Sequence, residues 1–278
     1  MILVTGGDGF IGRHLMKALK GDGVSWDIKT GKDLFSNDIL PYVDKCKAIV
    51  HLAALSSTQK SMDEPEATYK LNVQGTLRML LLAGMYKRKL VFISSAAVYK
   101  DIGRNSYREI DELDSTNPYG MSKIDAEYSC ASFRRRVPIV VLRLFNVYGS
   151  GQNPEYAGVI SSFLQQMKDG VLAITGDGNQ TRDFINVTDV VKIIMEAVDD
   201  NAWNGKTVNV GTGRATSINE LAAIFKNANK NILRLQYTDE RKEIKYSAAD
   251  TLFLRSLYRD GLTTNLKEDI KKMIKEHK

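Results

Sequence analysis

The sequence predicts an α/β protein built on a doubly wound parallel sheet, and three observations support this fold class. Short apolar runs alternate with longer segments that have the periodicity of helices. The runs are apolar almost throughout, which is typical of strands that are buried on both faces of a parallel sheet. The first run leads directly into closely spaced glycines, which is typical of a tight turn between a strand and a helix.

In chain order, the first half of the sequence contains five candidate strands and the helical segments between them. The predicted strands are residues 2–4, 24–28, 48–52, 90–93 and 139–142. The predicted helices are residues 10–19, 65–88 and 118–136. Because the elements alternate, and because crossovers between parallel strands are right-handed, they form one sheet with helices on both faces.

The second half of the chain has a different texture, with turn-rich stretches between shorter elements. Its predicted elements are a helix at 159–168, a strand at 208–210, a helix at 218–225 and a basic terminal helix at 265–278. The sequence therefore predicts a smaller α/β domain interleaved with the sheet. The sheet domain would comprise residues 1–145 plus 183–212, and the smaller domain residues 146–182 plus 213–278.

Composition and charge exclude several classes of protein. The chain has 278 residues, 43% of them hydrophobic, and 39 basic against 33 acidic side chains give a net charge of +6. This composition is typical of a folded domain, and no apolar run is long enough to cross a membrane. Two cysteines and three scattered histidines predict neither a disulfide framework nor a metal site. Without a signal-like N-terminus, we expect a cytoplasmic protein, and the basic clusters lack the interleaved aromatics of a nucleic-acid site.

The glycine-rich turn is the first candidate site. Gly6, Gly9 and Gly12 are spaced by three, and Gly7 offers a second register. Such glycines let backbone N–H groups at the helix start, here those of Phe10 and Ile11, approach a pyrophosphate.

An acid that binds the adenosine ribose is expected about 20 residues further on, and Asp27 lies at the end of the second predicted strand. Lys29 follows closely and suits a 2′-phosphate instead. The pattern predicts a dinucleotide site and favours NAD over NADP.

A tyrosine and a lysine at helical spacing form the second candidate site. Asn117 and Pro118 predict a helix start, which places Tyr119 and Lys123 on one face. An ammonium near a phenol favours the phenolate and makes the tyrosine a better general base. Ser95 follows the fourth predicted strand, at the sheet edge where ligands bind.

These residues resemble those of the extended short-chain dehydrogenase/reductases, in the NAD-dependent epimerase/dehydratase group, and are most similar to UDP-glucose 4-epimerases. The resemblance extends over nearly the whole chain. Its motifs are residues 5–12, 51–54, 72–76, 94–99, 118–123, 142–149, 176–184 and 209–213.

The resemblance implies a role for each site residue. Tyr119 would be the catalytic base and acid, Lys123 would tune it and hold the nicotinamide ribose, and Ser95 would orient the reacting hydroxyl. Further cofactor contacts are implied for Asp33, Leu34, Leu52, Ala53, Ala54, Asn72 and Ser94. Substrate contacts are implied for Asn146, Arg182 and Arg241, the last in a segment that departs from the usual motif.

The implied reaction is the interconversion of UDP-hexose epimers at C4 through a 4-keto sugar, with NAD as cofactor. Related dehydratases and decarboxylases place a glutamate where this chain has Ala97, so 4,6-dehydration is disfavoured. A nucleotide-sugar reductase that consumes NAD(P)H is the main alternative, and a non-catalytic dinucleotide-binding protein is a third. The resemblance also implies a homodimer that forms through the helices at 65–88 and 118–136.

Overall fold

The computed structural model describes residues 1–103, 106–152, 158–229, 232, 234–239 and 244–277. The strands are β1 (Ile2–Thr5), β2 (Gly23–Trp26), β3 (Ala48–His51), β4 (Lys89–Ser95), β5 (Ile139–Leu144), β6 (Asn146–Tyr148), β7 (Val171–Thr175), β8 (Thr181–Asn186), β9 (Thr207–Val210), β10 (Ala215–Ser217) and β11 (Arg234–Thr238). The helices are α1 (Phe10–Ala18), α2 (Leu40–Lys45), α3 (Thr58–Asp63), α4 (Pro65–Tyr69), α5 (Gly75–Tyr86), α6 (Pro118–Phe133), α7 (Val159–Gln166), α8 (Val187–Asp199), α9 (Ile218–Ala228), α10 (Leu252–Leu257) and α11 (Leu266–His277). A single π-helical turn, Lys70–Gln74, joins α4 to α5.

The main sheet has six parallel strands in the order β2-β1-β3-β4-β5-β9. This confirms the predicted doubly wound α/β fold. Thr5, at the end of β1, pairs with Trp26 of β2 on one side and with His51 of β3 on the other. The carboxyl ends of the strands therefore meet along one edge, where ligands of such sheets bind.

Both faces of the main sheet are buried, as the apolar strands predict. Side chains alternate along β1, so Leu3 and Val4 lie in different cores. Helices α1, α8 and α10 pack on the face that carries Val4, and α2, α5 and α6 pack on the face that carries Leu3.

A smaller α/β unit lies beside the carboxyl edge of the main sheet. It contains a three-stranded sheet in the order β10-β8-β6 and a two-stranded parallel sheet of β11 and β7. Helices α7, α9 and α11 pack around its core, which includes Phe163, Phe225 and Ile270. The helix α10 instead packs on the main sheet through Leu254, so the chain returns to the larger core near its end. In the described residues, no helix is long and apolar enough to span a membrane.

Candidate active site

The glycine turn lies between β1 and α1, close to the end of β3. Gly6 has a φ of +72°, and a Cβ at this position would lie 2.7 Å from the backbone nitrogen of Ala53. Glycine is therefore needed both for the backbone conformation and for the close approach. Within the described residues, no side chain caps α1, and its first turn, which starts at Phe10 and Ile11, holds no acid. The turn thus leaves the positive end of a helix available to a pyrophosphate.

Asp27 is held beside this turn, where the sequence predicts the ribose acid. Its carboxylate accepts the backbone N–H of Asp8 at 3.0 Å and that of Lys29 at 3.0 Å. The Lys29 ammonium donates to the carbonyl of Asp8 at 3.3 Å. The end of β2 and the glycine turn are therefore fixed to each other, with one acid and one lysine at the position of the adenosine ribose.

The two predicted adenine contacts differ in their surroundings. Asp33 is exposed, and its carboxylate accepts the backbone N–H of Phe35 at 2.9 Å. Leu34 is buried in the core, where a Cβ added to Gly75 would lie 2.7 Å from its side chain. The side chain of Leu34 thus packs in the interior, and only its backbone remains for a contact with adenine.

The segment after β3 is held by Asn72, which lies in the π-helical turn. The predicted cofactor residues Leu52, Ala53 and Ala54 form this half-buried segment. The amide of Asn72 accepts the N–H of Leu55 at 2.9 Å and donates to its carbonyl at 3.1 Å and to Ser122 at 2.9 Å. With 1% of its surface exposed, Asn72 supports the segment and α6 instead of contacting the cofactor directly as expected.

The catalytic helix α6 begins as the sequence predicts. The Asn117 side chain accepts the N–H of Gly120 at 2.9 Å, and Pro118 is the first helical residue. The backbone N–H of Tyr119 donates to the hydroxyl of Ser61 in α3 at 3.1 Å. Ser61 is buried, so a second helix fixes the backbone of the tyrosine.

The structure brings Ser95 and Tyr119 together. A hydrogen bond links their side chains, and it lowers the pKa of Tyr119 against a larger increase caused by burial. The net pKa of the phenol is raised, so the predicted stabilisation of the phenolate by Lys123 is not found.

The reason lies in the position of Lys123. Its ammonium donates to the carbonyl of Ile93 at 2.8 Å and lies 4.9 Å from the centre of the Phe92 ring. Burial lowers the pKa of Lys123 to about 8.

Ser94 has a different partner from the predicted cofactor. It is buried, and its hydroxyl donates to Glu127 of α6 at 2.5 Å. Glu127 also forms an ion pair with Arg143 of β5, and the sequence analysis assigned no role to either residue. One signal was available, because Tyr119, Lys123 and Glu127 follow one another at intervals of four.

The three predicted substrate residues lie in the second half of the chain. Asn146 is half-buried at the start of β6, just beyond the end of β5. Arg182 in β8 donates to the carbonyl of Ile244 at 2.8 Å, and Arg241 lies outside the described residues. Asp183, next to Arg182, is fully buried and accepts hydrogen bonds from residues 212, 213 and 249. The sequence gave no reason to single out Asp183, because its partners are distant along the chain.

Metal chemistry finds no support in the described part of the chain, where no cluster of histidine, cysteine and acidic side chains could hold an ion. The histidine nearest to the site, His51, is bonded to Thr5 at 2.6 Å and to Thr76 at 3.2 Å. Burial lowers its pKa to about 3, so it is neutral at physiological pH. Its role is to join β1, β3 and α5 beneath the site.

Replacing Ser61 by alanine tests how far α3 positions the tyrosine. The change removes the acceptor of the Tyr119 N–H, which we expect to lower stability by about 1 kcal/mol. A small displacement of the phenol should lower kcat roughly three- to tenfold. Ser132→Ala, which removes an exposed serine of α6 bonded to the carbonyl of Tyr128, is the matched control. Equal kcat values for the two variants would contradict a positioning role for Ser61.

The site as a whole suits a dinucleotide and a hydroxyl-bearing substrate. An uncapped helix start and a glycine turn that excludes side chains fit the pyrophosphate of NAD, and Asp27 fits its ribose. Ser95 and Tyr119 lie beyond β4 and share a hydrogen bond, which suits proton exchange with a substrate hydroxyl.

Comparison with known proteins agrees with this geometry. Residues 2–211 match the family described as "NAD dependent epimerase/dehydratase family". The chain is 37% identical over 258 residues to a "Putative UDP-glucose 4-epimerase" of Methanocaldococcus jannaschii, covering 81% of each protein.

Two solved structures resemble the whole fold. One is a UDP-N-acetylglucosamine 4-epimerase from Methanobrevibacter ruminantium in complex with UDP-N-acetylmuramic acid, with a TM-score of 0.92, 28% identity, and 99% and 96% of the two chains covered. The other is a UDP-glucuronic acid 4-epimerase from Bacillus cereus in complex with UDP-glucuronic acid and NAD, with a TM-score of 0.88, 26% identity and 99% of each chain covered. Decarboxylases and a dehydratase also match. The chain belongs to the NAD-dependent epimerase/dehydratase family, whose cofactor is NAD.

Proposed function

We propose that the protein is an NAD-dependent nucleotide-sugar 4-epimerase that acts on a UDP-hexose of the UDP-glucose type. The hydrogen-bonded pair of Ser95 and Tyr119 carries this proposal, because it can take a proton from a sugar hydroxyl and return it. Relatives named as 4-epimerases of UDP sugars support the same reaction. The two free cysteines agree with a cytoplasmic location.

The residues of the site handle the proton and the orientation of the sugar. Ser95 holds the reacting hydroxyl next to Tyr119, and Tyr119 accepts its proton as the carbonyl forms. When the carbonyl is reduced again, Tyr119 returns the proton. Lys123 places a positive charge behind the tyrosine and the nicotinamide ribose. Bound NAD supplies reversible hydride acceptance. We place the substrate diphosphate near Asn146 and Arg182, and the neighbouring Arg241 would add a second positive charge.

The turn after β4 argues against elimination chemistry at this site. Ala96 and Ala97 occupy the turn between Ser95 and Tyr99, and neither side chain can carry a proton. A 4,6-dehydration needs a further acid or base near the ring, so an epimerase that only inverts C4 suits these residues better.

One experiment separates the candidate reactions. Purified protein is incubated with UDP-glucose without added cofactor, and the sugar products are followed by NMR while absorbance at 340 nm reports NADH. We expect UDP-galactose to accumulate to equilibrium with no net change in NADH. Stoichiometric consumption of NAD(P)H with a keto-sugar substrate would instead identify a reductase, and loss of CO₂ from UDP-glucuronate a decarboxylase.

We also propose that the protein is a homodimer that associates through α5 and α6. Leu77, Leu81 and Met85 lie at intervals of four along α5, and all three are exposed, as is Tyr128 of α6. Such a stripe of apolar side chains is typical of a helix that packs against another copy.

Charging this stripe should produce monomers. Leu81→Glu together with Met85→Glu places two carboxylates at the centre of the proposed interface, where their desolvation opposes association. The mass in solution, measured by light scattering after size exclusion, should fall to that of one chain. Leu252→Glu, which changes a leucine of α10 with 75% of its surface exposed, is the control and should leave the mass unchanged. A wild-type monomer, or a dimeric double variant, would contradict this interface.

A further inference from the structure

A buried ion pair lies beneath the catalytic residues. The Arg143 guanidinium contacts Glu127 twice through its Nε, at 3.0 and 3.1 Å, and once through Nη2 at 2.6 Å. The two side chains are 5% and 8% exposed. This planar contact of a guanidinium with a carboxylate is the strongest geometry that such a pair can adopt.

Stability alone does not account for an ion pair at this depth. Removing two charges from water is costly, and well-packed apolar side chains in their place are often equally or more stable. The pair lies between helix α6 and strand β5, where the neighbouring residues of both elements form ordinary apolar core. The surroundings of the pair therefore have to be considered for a second role.

Glu127 completes a set of three contacts between α6 and the end of β4. Ile93, Ser94 and Ser95 are consecutive, and each is bonded to a residue of α6. Lys123 donates to the carbonyl of Ile93, Ser94 donates to Glu127, and Ser95 is bonded to Tyr119. Glu127 thus fixes the strand residue that precedes the catalytic serine.

Arg143 holds the other end of the same segment. It donates to the hydroxyl of Tyr99 at 2.9 Å and to the carbonyl of Glu109 at 3.0 Å. The Tyr99 hydroxyl in turn donates to Asn209 of β9 at 2.6 Å. The segment from Ser94 to Tyr99, which includes Ser95, is therefore held at both ends by one ion pair.

We propose that Glu127 and Arg143 are positioning residues for catalysis: they fix Ser95 against Tyr119 and place a negative charge one helical turn from Lys123. This inference rests on the proposed proton transfer by Tyr119. The groups that face Lys123 are His51 from β3, Phe92 from β4, and Tyr119, Glu127 and Cys130 from its own helix. After burial, which lowers the pKa of Lys123, the charges of Cys130 and Glu127 raise it.

The test compares Glu127→Gln with Glu127→Asp. The first removes the charge and keeps the size, and the second keeps the charge. We expect Glu127→Gln to lower kcat about 10- to 100-fold with little change in KM, because the reacting groups are misplaced and substrate binding is not. The alkaline limb of the activity profile should move to lower pH, since Lys123 loses its proton more readily without the neighbouring carboxylate. Glu127→Asp should restore the position of this limb.

Two measurements keep the outcome clear. Titration of ¹³C-labelled lysine by NMR, with Lys123→Met to assign the signal, reports the Lys123 pKa whatever reaction the enzyme catalyses. We expect its midpoint to fall in Glu127→Gln and to recover in Glu127→Asp. NADH fluorescence confirms that each variant folds and binds cofactor. If the wild type lacks epimerase activity, the proposed function fails while the lysine titration still tests the role of Glu127. A folded Glu127→Gln protein with unchanged kcat and an unchanged lysine midpoint would overturn the inference.

Discussion

Replacing Tyr119 by phenylalanine is expected to lower kcat for UDP-sugar epimerisation by roughly 10²- to 10⁴-fold, the usual contribution of a general acid–base group. The variant keeps the ring that fills the site and loses only the hydroxyl bonded to Ser95. Substrate and NADH affinities should change little, because the helix start, the glycine turn and the substrate arginine are untouched. Initial rates measured by coupled assay, together with NADH fluorescence titration, separate the two effects.

The pH dependence of the wild-type enzyme provides a second readout of the same residue. Burial raises the pKa of Tyr119, so the phenolate is a minor species near neutral pH and its fraction increases as the pH rises. If the phenolate is the base, kcat/KM should increase between pH 6 and 8, and this increase should be absent in Tyr119→Phe. Tyr128→Phe changes an exposed tyrosine of the same helix and should behave as wild type. A Tyr119→Phe enzyme with more than a tenth of the wild-type kcat would show that another group transfers the proton.

Local sequence patterns predicted the parts of the site that depend on neighbouring residues. Asn117 and Pro118 start α6 as expected because a cap acts within one helical turn. The glycine turn was predicted because the conformation of Gly6 and its contact with the segment after β3 leave no room for a side chain. The order of strands in the main sheet follows from alternating elements with right-handed crossovers.

Residues whose roles depend on distant partners could not be predicted in this way. Asn72 was expected to line the cofactor, yet its amide is occupied by Leu55 and Ser122, which fold brings together across three elements. The π-helical turn that contains Asn72 has no distinct sequence signature. Likewise, Lys123 bonds to Ile93 instead of tuning the tyrosine, and this choice depends on the depth of burial.

The junction between the two sheets illustrates the same limit and leads to the largest expected effect on stability. Asp183 of β8 is fully buried. Its carboxylate accepts the backbone N–H and the hydroxyl of Thr212 at 2.9 and 2.5 Å, and the N–H groups of Gly213 at 2.8 Å and Ala249 at 3.1 Å. A Cβ at Gly211 would lie 2.5 Å from this carboxylate, so the turn after β9 can approach it only as glycine. One side chain therefore joins three segments that are far apart in sequence.

Asp183→Ala should lower the free energy of unfolding by about 3–5 kcal/mol, since three buried N–H donors lose their acceptor and each unsatisfied group costs about 1–3 kcal/mol. A loss of this size corresponds to a decrease in Tm of roughly 10 °C for a chain of this length. Asp250→Ala, which removes a carboxylate that accepts only the N–H of Leu252 among the printed bonds of the described residues, is the control, with an expected cost of about 1 kcal/mol. Thermal and urea unfolding measure both variants.

The catalytic consequence follows from the position of Asp183 beside Arg182. Loosening β8 from residues 212 and 213 lets the proposed diphosphate contact move relative to Ser95 and Tyr119, which belong to the main sheet. At a temperature where Asp183→Ala remains folded, KM for the nucleotide sugar should therefore rise more than kcat falls, the opposite of the pattern expected for Tyr119→Phe. A variant with wild-type stability, or one in which kcat alone changes, would show that this carboxylate does not hold the two sheets in register.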